Sequence, residues 1–395
     1  MLATSPASPV RYRIGDALPR HAIDRAAAAK LRGILDLGDI RIGGVRPWDI
    51  QVYDPRFYRR VIAHGSVGGG ESYMDGWWDA EALDELFARL HRIDPYARMG
   101  RLQTALLSLR GRLVNRQSGH RAGRVARQHY DLGTDLYRAM LDRSMQYTCA
   151  YWRDAQTLDQ AQQDKLHLVC RKLYLRPGMT VLELGGGFGG LARFLAAEYG
   201  CRVVSYNISR EQVAHAREWC SGLPVRIEEK DYREAANEQE QFDRVVAVGL
   251  CEHIGHKNYG RFFSLVRDRL KDGGLFLLHT IGSNISVTST DAWIEKYIFP
   301  NGMMPSIAQL GAAAERGWVI EDLHAFGPDY DRTLMAWWDK FQGAWPQLEE
   351  KYGERFYRMW RYYLMGCAGA FRARKLQLWQ MVLSKGDIPA YKPVR

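Results

Sequence analysis

Short apolar runs at Thr180–Leu184, Arg202–Tyr206, Val225–Glu229, Phe242–Val248 and Leu275–Ile281 alternate with segments whose apolar residues recur at helical spacing, Leu191–Glu198, Ser209–Cys220 and Asn258–Leu270. Strands separated by helices of this length predict a parallel sheet covered on both faces. A further apolar run, Gln377–Leu383, predicts one more strand and hence a mixed sheet. Upstream, the pattern is less regular. It predicts a helix over Ala22–Leu35, strands around Ile40 and Ile50–Tyr53, a turn-rich aromatic stretch over Gly70–Trp78, and a helix over Leu83–Leu90.

Between the two blocks lies a segment of different composition. From Tyr96 to Tyr130 there is no acidic residue, while arginine stands at 98, 101, 110, 112, 116, 121, 124 and 127. We therefore expect a first domain over 1–109, a basic linker over 110–127 and a second domain over 128–395. The net charge of +10 calls for an acidic partner. The basic stretch suits a solvated linker, an arginine-covered helix or anionic lipid headgroups. It has no interleaved aromatic residues to stack on bases, so nucleic acid is not expected.

Composition excludes other classes. With 46% hydrophobic and 25% charged residues the chain is neither disordered nor fibrous. The start, Met1-Leu-Ala-Thr-Ser-Pro-Ala-Ser-Pro-Val10, lacks the features of a signal peptide, and no apolar run reaches membrane-spanning length, so a cytoplasmic location is expected. Six cysteines, at 149, 170, 201, 220, 251 and 367, show no metal-ligand spacing. They read as reduced thiols, and no metal is expected.

The chemistry begins at Thr180-Val-Leu-Glu-Leu-Gly-Gly-Gly-Phe-Gly-Gly190, a strand that runs through a glycine turn into a helix. Such a turn brings backbone close to a nucleotide-like ligand and aims unpaired helical N–H groups at it. Dehydrogenases and methyltransferases share this device. A dinucleotide enzyme carries an acidic residue about twenty positions on, at the end of the second strand. Here that place holds Asn207, which weakens the nicotinamide reading. Asn207 and Gln212 suit a ribose, and Asp231-Tyr232 suits an adenine, although a helix cap and a surface turn also account for these positions.

Several segments around the turn resemble cyclopropane-fatty-acid synthases and the related mycolic acid cyclopropane synthases and methyltransferases. They are Gln128-His-Tyr-Asp-Leu-Gly-Thr-Asp-Leu-Tyr137, Met145-Gln-Tyr-Thr-Cys-Ala-Tyr-Trp152, Val248-Gly-Leu-Cys-Glu-His-Ile-Gly255, Leu278-His-Thr-Ile-Gly-Ser283, Tyr297-Ile-Phe-Pro-Asn-Gly302, Asp329-Tyr-Asp-Arg-Thr-Leu-Met-Ala336 and Cys367-Ala-Gly-Ala-Phe-Arg-Ala-Arg374. Glu71-Ser-Tyr-Met-Asp-Gly-Trp-Trp78 extends the likeness into the first block, as in the longer phospholipid-acting enzymes. The resemblance implies a Rossmann-like class I methyltransferase domain, mainly parallel with helices on both faces, preceded by a smaller α+β domain. Its expected role is to present lipid.

By the same resemblance, S-adenosylmethionine is held by Tyr147, Thr148, Gly185, Gly187, Asn207, Gln212 and Tyr232. The family's Gly-Cys-Gly-Trp-Gly-Gly stands here as Gly185-Gly-Gly-Phe-Gly-Gly190, with Phe188 in place of tryptophan. The implied reaction adds a methylene across the cis double bond of an unsaturated acyl chain in a membrane phospholipid. The implied base is a bound bicarbonate, liganded by Glu252, His279, Tyr330 and the backbone N–H groups of Cys149 and Ile281. Each residue alone also suits a duller place: Glu252 a cap or ion pair, His279 and Cys149 the core, Tyr330 a packed loop. Trp77-Trp78, Trp337-Trp338 and Trp345 are candidates for touching the bilayer or for core packing. Peripheral association with the inner face of the membrane and a homodimer are implied too. The alternatives are a relative making methyl-branched or methylene fatty acids, and a non-catalytic lipid-binding protein.

Overall fold

In the computed structural model, which describes residues 22–94 and 133–395, the first block forms α1 (Ala22–Asp36), β1 (Gln51–Val52), α2 (Arg56–Met74), β2 (Trp78–Asp79) and α3 (Leu83–Ile93). β1 and β2 pair antiparallel. Ile40 lies in no strand; it is buried, and the nearest pairing is a single bridge between Ile42 and Ile50. Gly70–Trp78 is not turn throughout, because α2, broken at Gly65 where φ is 56°, resumes and runs to Met74, and the chain turns only at Asp75-Gly76. Glycine disfavours an isolated helix, but here burial of Ser72, Tyr73 and Met74 outweighs that preference. Trp78 Nε1 donates to Gly69 O at 3.0 Å and to Ser72 Oγ at 3.1 Å, tying the turn back onto the helix.

Residues Tyr352–Gly369 pack with this first unit. The expected partition placed them with the second domain. Asp79 explains the difference: Arg358 Nη1 donates to its Oδ2 at 3.0 Å and Arg361 Nη1 to its Oδ1 at 3.0 Å. Tyr362 stands edge-on to Phe87, with ring centroids 4.9 Å apart. The unit's core is therefore completed by a segment distant in sequence.

The second unit takes residues 133–351 and Ala370–Arg395. In chain order it holds α4 (Thr134–Met140), α5 (Leu158–Lys172), β3 (Thr180–Leu184), α6 (Gly190–Tyr199), β4 (Arg202–Asn207), α7 (Arg210–Trp219), β5 (Val225–Glu229), β6 (Phe242–Val248), α8 (Tyr259–Arg269) and β7 (Leu270–Ser283). Then follow α9 (Ala292–Tyr297), α10 (Ile307–Ala314), β8 (Val319–Ala325), α11 (Pro328–Arg372) and β9 (Leu376–Ser384). The helical run of α11 is broken at Gly353, where φ is 73°, next to the point where the first unit's segment begins at Tyr352. The sheet order is β5-β4-β3-β6-β7-β9-β8. The first five of these are mutually parallel, and β9 runs antiparallel to β7 and β8. The expected mixed sheet is present. Its edge strand β8 was not legible in the sequence, because Val319, Ile320 and Leu323 are exposed and break the alternation.

Both faces of the sheet are buried. Leu182, Leu184, Val245 and Phe276 pack with Phe262 and Phe263 of α8, while Val181, Val246 and Leu277 pack with Leu166 of α5 and Leu195 of α6. Burying these aliphatic and aromatic side chains contributes roughly 1.5–3 kcal/mol each. The α5 side also carries polar groups. Gln162, Lys165 and Lys172 fall among that helix's buried positions. Lys172 Nζ lies 3.0 Å from Asp322 Oδ2 on β8.

The linker expected over 110–127, the arginines from 98 onward and residues 128–132 of the first motif lie outside the described residues. Of the tryptophans singled out, Trp78, Trp337 and Trp338 are buried in the two cores.

Candidate active site

The cofactor cleft opens at the carboxyl ends of β3, β4 and β6, where a doubly wound sheet offers its crevice. The glycine turn is pinned by Tyr206 O, which accepts the N–H groups of Gly185 and Gly186 at 2.9 and 3.0 Å. Gly187 takes φ 53°, a left-handed value that suits glycine. A Cβ on Gly190 would lie 1.9 Å from Ser144 O, so a side chain there would separate the helix start from the loop before Met145.

Asn207 ends β4 and spans the turn. Its Nδ2 donates to Gly187 O and to Gln212 Oε1, both at 2.9 Å. Ser209 caps α7 by accepting Gln212 N–H, which brings Gln212 to the cleft. Asp231 caps a short 3₁₀ turn and its own N–H donates in return to Glu234 Oε1 at 2.9 Å, setting Tyr232 edge-on to Phe262 at 5.5 Å. Burial pushes the Tyr232 hydroxyl up to about 12, so it stays protonated. All seven residues expected to hold the cofactor, Tyr147, Thr148, Gly185, Gly187, Asn207, Gln212 and Tyr232, line this one cleft.

Two residues that sequence reasoning missed hold the cleft together. Lys165, with no exposed surface, donates to Gln146 Oε1 at 2.6 Å and Thr148 Oγ1 at 3.1 Å. Its neighbour one turn back, Gln162, donates to Thr148 O at 2.8 Å. Burial lowers the Lys165 ammonium to about 8, against the pull of Asp142, Cys149 and Glu183. Glu183 lines the cleft floor, accepts the Ser205 hydroxyl at 2.6 Å, and is raised by burial to about 7. The available signal was position: Lys165 shares helical spacing with Leu158, Ala161, Leu168 and Lys172 in a buried stripe.

A second cluster adjoins the cleft. Glu252 is buried, and its Oε1 accepts Ile281 N–H at 2.7 Å. Its Oε2 is buried with no protein partner. Burial raises this carboxyl to about 7, with the Ile281 amide acting the other way. His279, two residues before Ile281 on β7, is also buried; Gln380 Nε2 stands 3.3 Å from its Nδ1, and its Nε2 has no protein partner. Burial, then Lys165 and Lys172, hold this imidazole well below the usual range, so it is neutral.

Cys149 is fully buried, and its thiol donates to Ala150 O at 3.2 Å. Burial keeps it far above the ordinary thiol range, which removes a thiolate nucleophile. Thr333 Oγ1 accepts Ala150 N–H at 3.1 Å and Trp152 Nε1–H at 2.9 Å, and Asp329 accepts Trp152 N–H at 2.7 Å. These contacts dock the 149–152 segment on the first turns of α11, which also carry Tyr330. Tyr330 packs against Phe371 at 4.6 Å and Trp337 at 6.0 Å, and Trp337 packs against Tyr147 at 5.1 Å.

The structure thus joins Glu252 directly to Ile281, and Cys149 to the helix bearing Tyr330. Of the two backbone donors expected for an ion, that of Ile281 is engaged by Glu252. None of these five residues lines the cofactor cleft itself. They adjoin it at Thr148, next to Cys149, and at Gly249, whose N–H donates to His279 O at 2.9 Å. Among the described residues no cluster of metal-ligating side chains occurs, and no helix is long and apolar enough to cross a membrane.

A family model described as mycolic acid cyclopropane synthetase matches residues 117–381. The cyclopropane-fatty-acyl-phospholipid synthase of Escherichia coli K12 is 50% identical over 354 residues, covering 89% of this chain and 92% of its own. Among solved structures, mycolic acid cyclopropane synthase CmaA1 complexed with SAH and CTAB matches with TM-score 0.61 at 32% identity, over 66% of this chain and 97% of that one. Coclaurine N-methyltransferase matches with TM-score 0.65 at 19% identity, over 80% of this chain and 98% of that one, a likeness of fold.

Proposed function

Because the chain belongs to the mycolic acid cyclopropane synthetase family, we propose that it is an S-adenosylmethionine-dependent cyclopropane-fatty-acyl-phospholipid synthase. The observation that carries this reading is the cleft: seven residues from five separate segments line one space beside a buried carboxylate and imidazole. When bound there, S-adenosylmethionine supplies an electrophilic methyl group. Asn207 and Gln212 offer amide groups to ribose hydroxyls, Tyr232 offers a ring to adenine, and the Gly185 to Gly187 backbone admits the ligand closely. Tyr147 and Thr148 approach from the other side, their segment held by Gln162 and Lys165.

Adding a methyl to an alkene leaves positive charge on the acyl chain, and the new group must then lose a proton. The aromatic run Tyr147, Trp337, Tyr330 and Phe371, packed ring on ring and reaching the cleft at Tyr147, is an apolar wall that suits a site from which water must be kept, and its π systems suit a cation. The unpartnered Glu252 Oε2 and His279 Nε2 fit a small ligand that both donates and accepts hydrogen bonds. Bicarbonate meets that need, and when bound it supplies the base. Ionised Glu252 would accept its hydroxyl, a neutral His279 would donate to it, and Tyr330 and Cys149 N–H would complete the ligand set. Ile281 N–H enters the site through Glu252, whose carboxylate it fixes.

The substrate lies in a bilayer, so the enzyme works as a cytoplasmic, peripherally bound protein, with the arginine-rich stretch of 96–130 attracted to anionic headgroups. The first domain presents lipid to the second, and the working form is a homodimer. Incubation with cis-monounsaturated phospholipid vesicles and labelled S-adenosylmethionine tests the activity. Proton NMR of the extracted lipid is expected to show upfield cyclopropane signals; a methylene or methyl-branched product would replace this reading with the neighbouring one in the family.

A further inference from the structure

β7 and β9 run antiparallel with His279 directly opposite Gln380, and β8 continues the row with His324 opposite Gln380. Residues opposed in this way share one face of the sheet. Both His279 and Gln380 are buried, at 1% and 0% exposure, so neither side chain has bulk water as an alternative partner. Gln380 Nε2 stands 3.3 Å from His279 Nδ1. With the Gln380 amide nitrogen facing it, Nδ1 accepts, and in a neutral imidazole the proton then resides on Nε2; Gln380 Oε1 is left buried without a protein partner. That nitrogen is the one buried without a protein partner.

We propose that Gln380 is a positioning residue that holds His279 as its Nε2–H tautomer, so that His279 enters the site as a hydrogen-bond donor to an anion and not as the group that takes the proton. The consequence rests on the bicarbonate reading above; the tautomer does not. The surroundings agree with a neutral donor. Burial, then the charges of Lys165 and Lys172 of α5, disfavour an imidazolium, Phe326 places its ring 5.9 Å away, and His324 lies beyond Gln380 on β8. Glu252 reaches the same strand at Ile281 and provides the complementary acceptor.

Full-length enzyme labelled with ¹⁵N-histidine, free of lipid and cofactor, tests the assignment by long-range ¹⁵N–¹H correlation, with His279→Gln identifying the resonance. The expected pattern is a protonated Nε2 and an unprotonated Nδ1. Gln380→Leu is expected to mix the tautomers and raise the bicarbonate concentration for half-maximal turnover about tenfold or more, the scale for losing a supporting partner, with the KM for S-adenosylmethionine unchanged. Gln380→Glu places an acceptor at Nδ1 and moves the proton there. Nε2 then carries a proton only in the imidazolium, and the pH optimum shifts downward. If Gln380→Leu does not fold, the near-isosteric Gln380→Glu and the wild-type spectrum still decide. A wild-type Nδ1–H pattern, or a Gln380→Glu enzyme with unchanged spectrum and pH profile, overturns the proposal. Turnover independent of bicarbonate in the wild type removes the anion reading while leaving the tautomer standing.

Discussion

Glu252 Oε1 accepts the Ile281 N–H at 2.7 Å, while Oε2 of the same carboxyl is buried without a protein partner. One oxygen fixes the group's direction and the other is left for a ligand. Glu252→Gln keeps the shape but loses the ionised acceptor. Turnover is expected to fall about 10²–10³-fold, the scale for removing one preorganised electrostatic partner. Binding of S-adenosylmethionine, measured by calorimetry, is expected to be unchanged, because Glu252 does not line the cleft.

Burial raises the Glu252 carboxyl to about 7. Its ionised form therefore fills only as pH rises through that value, and turnover is expected to show an acid limb near neutrality. The sign for stability is opposite. A raised carboxyl binds more protons folded than unfolded, so its contribution is full below the ordinary carboxylate range and is lost as pH rises toward 7. Glu252→Gln is expected to flatten both trends in pH–rate and thermal-melt series; an acid limb that survives the substitution assigns it to another group.

Asn207 carries two bonds that shape the cleft, to Gly187 O and to Gln212. Asn207→Ala is expected to weaken S-adenosylmethionine binding about tenfold, the scale of one lost hydrogen bond to a positioned partner. At saturating cofactor, kcat is expected to stay near the wild-type value. A fall in kcat alone assigns Asn207 to the chemistry.

Lys165 is lowered by burial to about 8, so it binds fewer protons folded than unfolded between that value and the ordinary lysine range. Its contribution to stability is present at high pH and is lost as pH falls through about 8. Lys172 shares this behaviour, so the informative quantity is the difference between wild type and Lys165→Met. The variant is expected to show a shallower rise of melting temperature from pH 8 upward. It is also expected to bind S-adenosylmethionine more weakly, since Gln146 and Thr148 lose their donor.

In the first unit, Asp79 answers both Arg358 and Arg361. Asp79→Asn leaves two guanidinium groups without their counter-charge, one of them in a buried side chain. A loss of about 1–3 kcal/mol is expected, below the figure for a wholly buried pair because Asp79 is partly exposed. Thermal or denaturant unfolding measures it, with cofactor affinity as the control for the second unit.

The sheet strands and the glycine turn were legible because their signals are local. Strands Thr180–Leu184 and Phe242–Val248 are buried on both faces, so a short apolar run marks them without reference to partners. The seven residues expected to hold the cofactor were named through the resemblance, and folding places them on one cleft because strand ends and the helix starts beside them converge at the same sheet edge. By contrast, the glycine-rich end of α2 read as a turn, since its helix depends on packing that no local propensity encodes. The segment Tyr352–Gly369 joined the first unit for the same reason, through arginines that meet Asp79 far away in sequence.

The sequence by itself determined an α/β domain and, through its resemblance to a known family, the expectation of a nucleotide-like ligand on the glycine turn and of the residues around it. Only the tertiary structure decided their states. It turned Lys165 from one more basic residue into a buried support of Thr148, gave the Ile281 amide to Glu252, and set Gln380 against His279. Burial and cross-strand register fix which proton sits on which atom, and neither quantity exists until distant segments have packed.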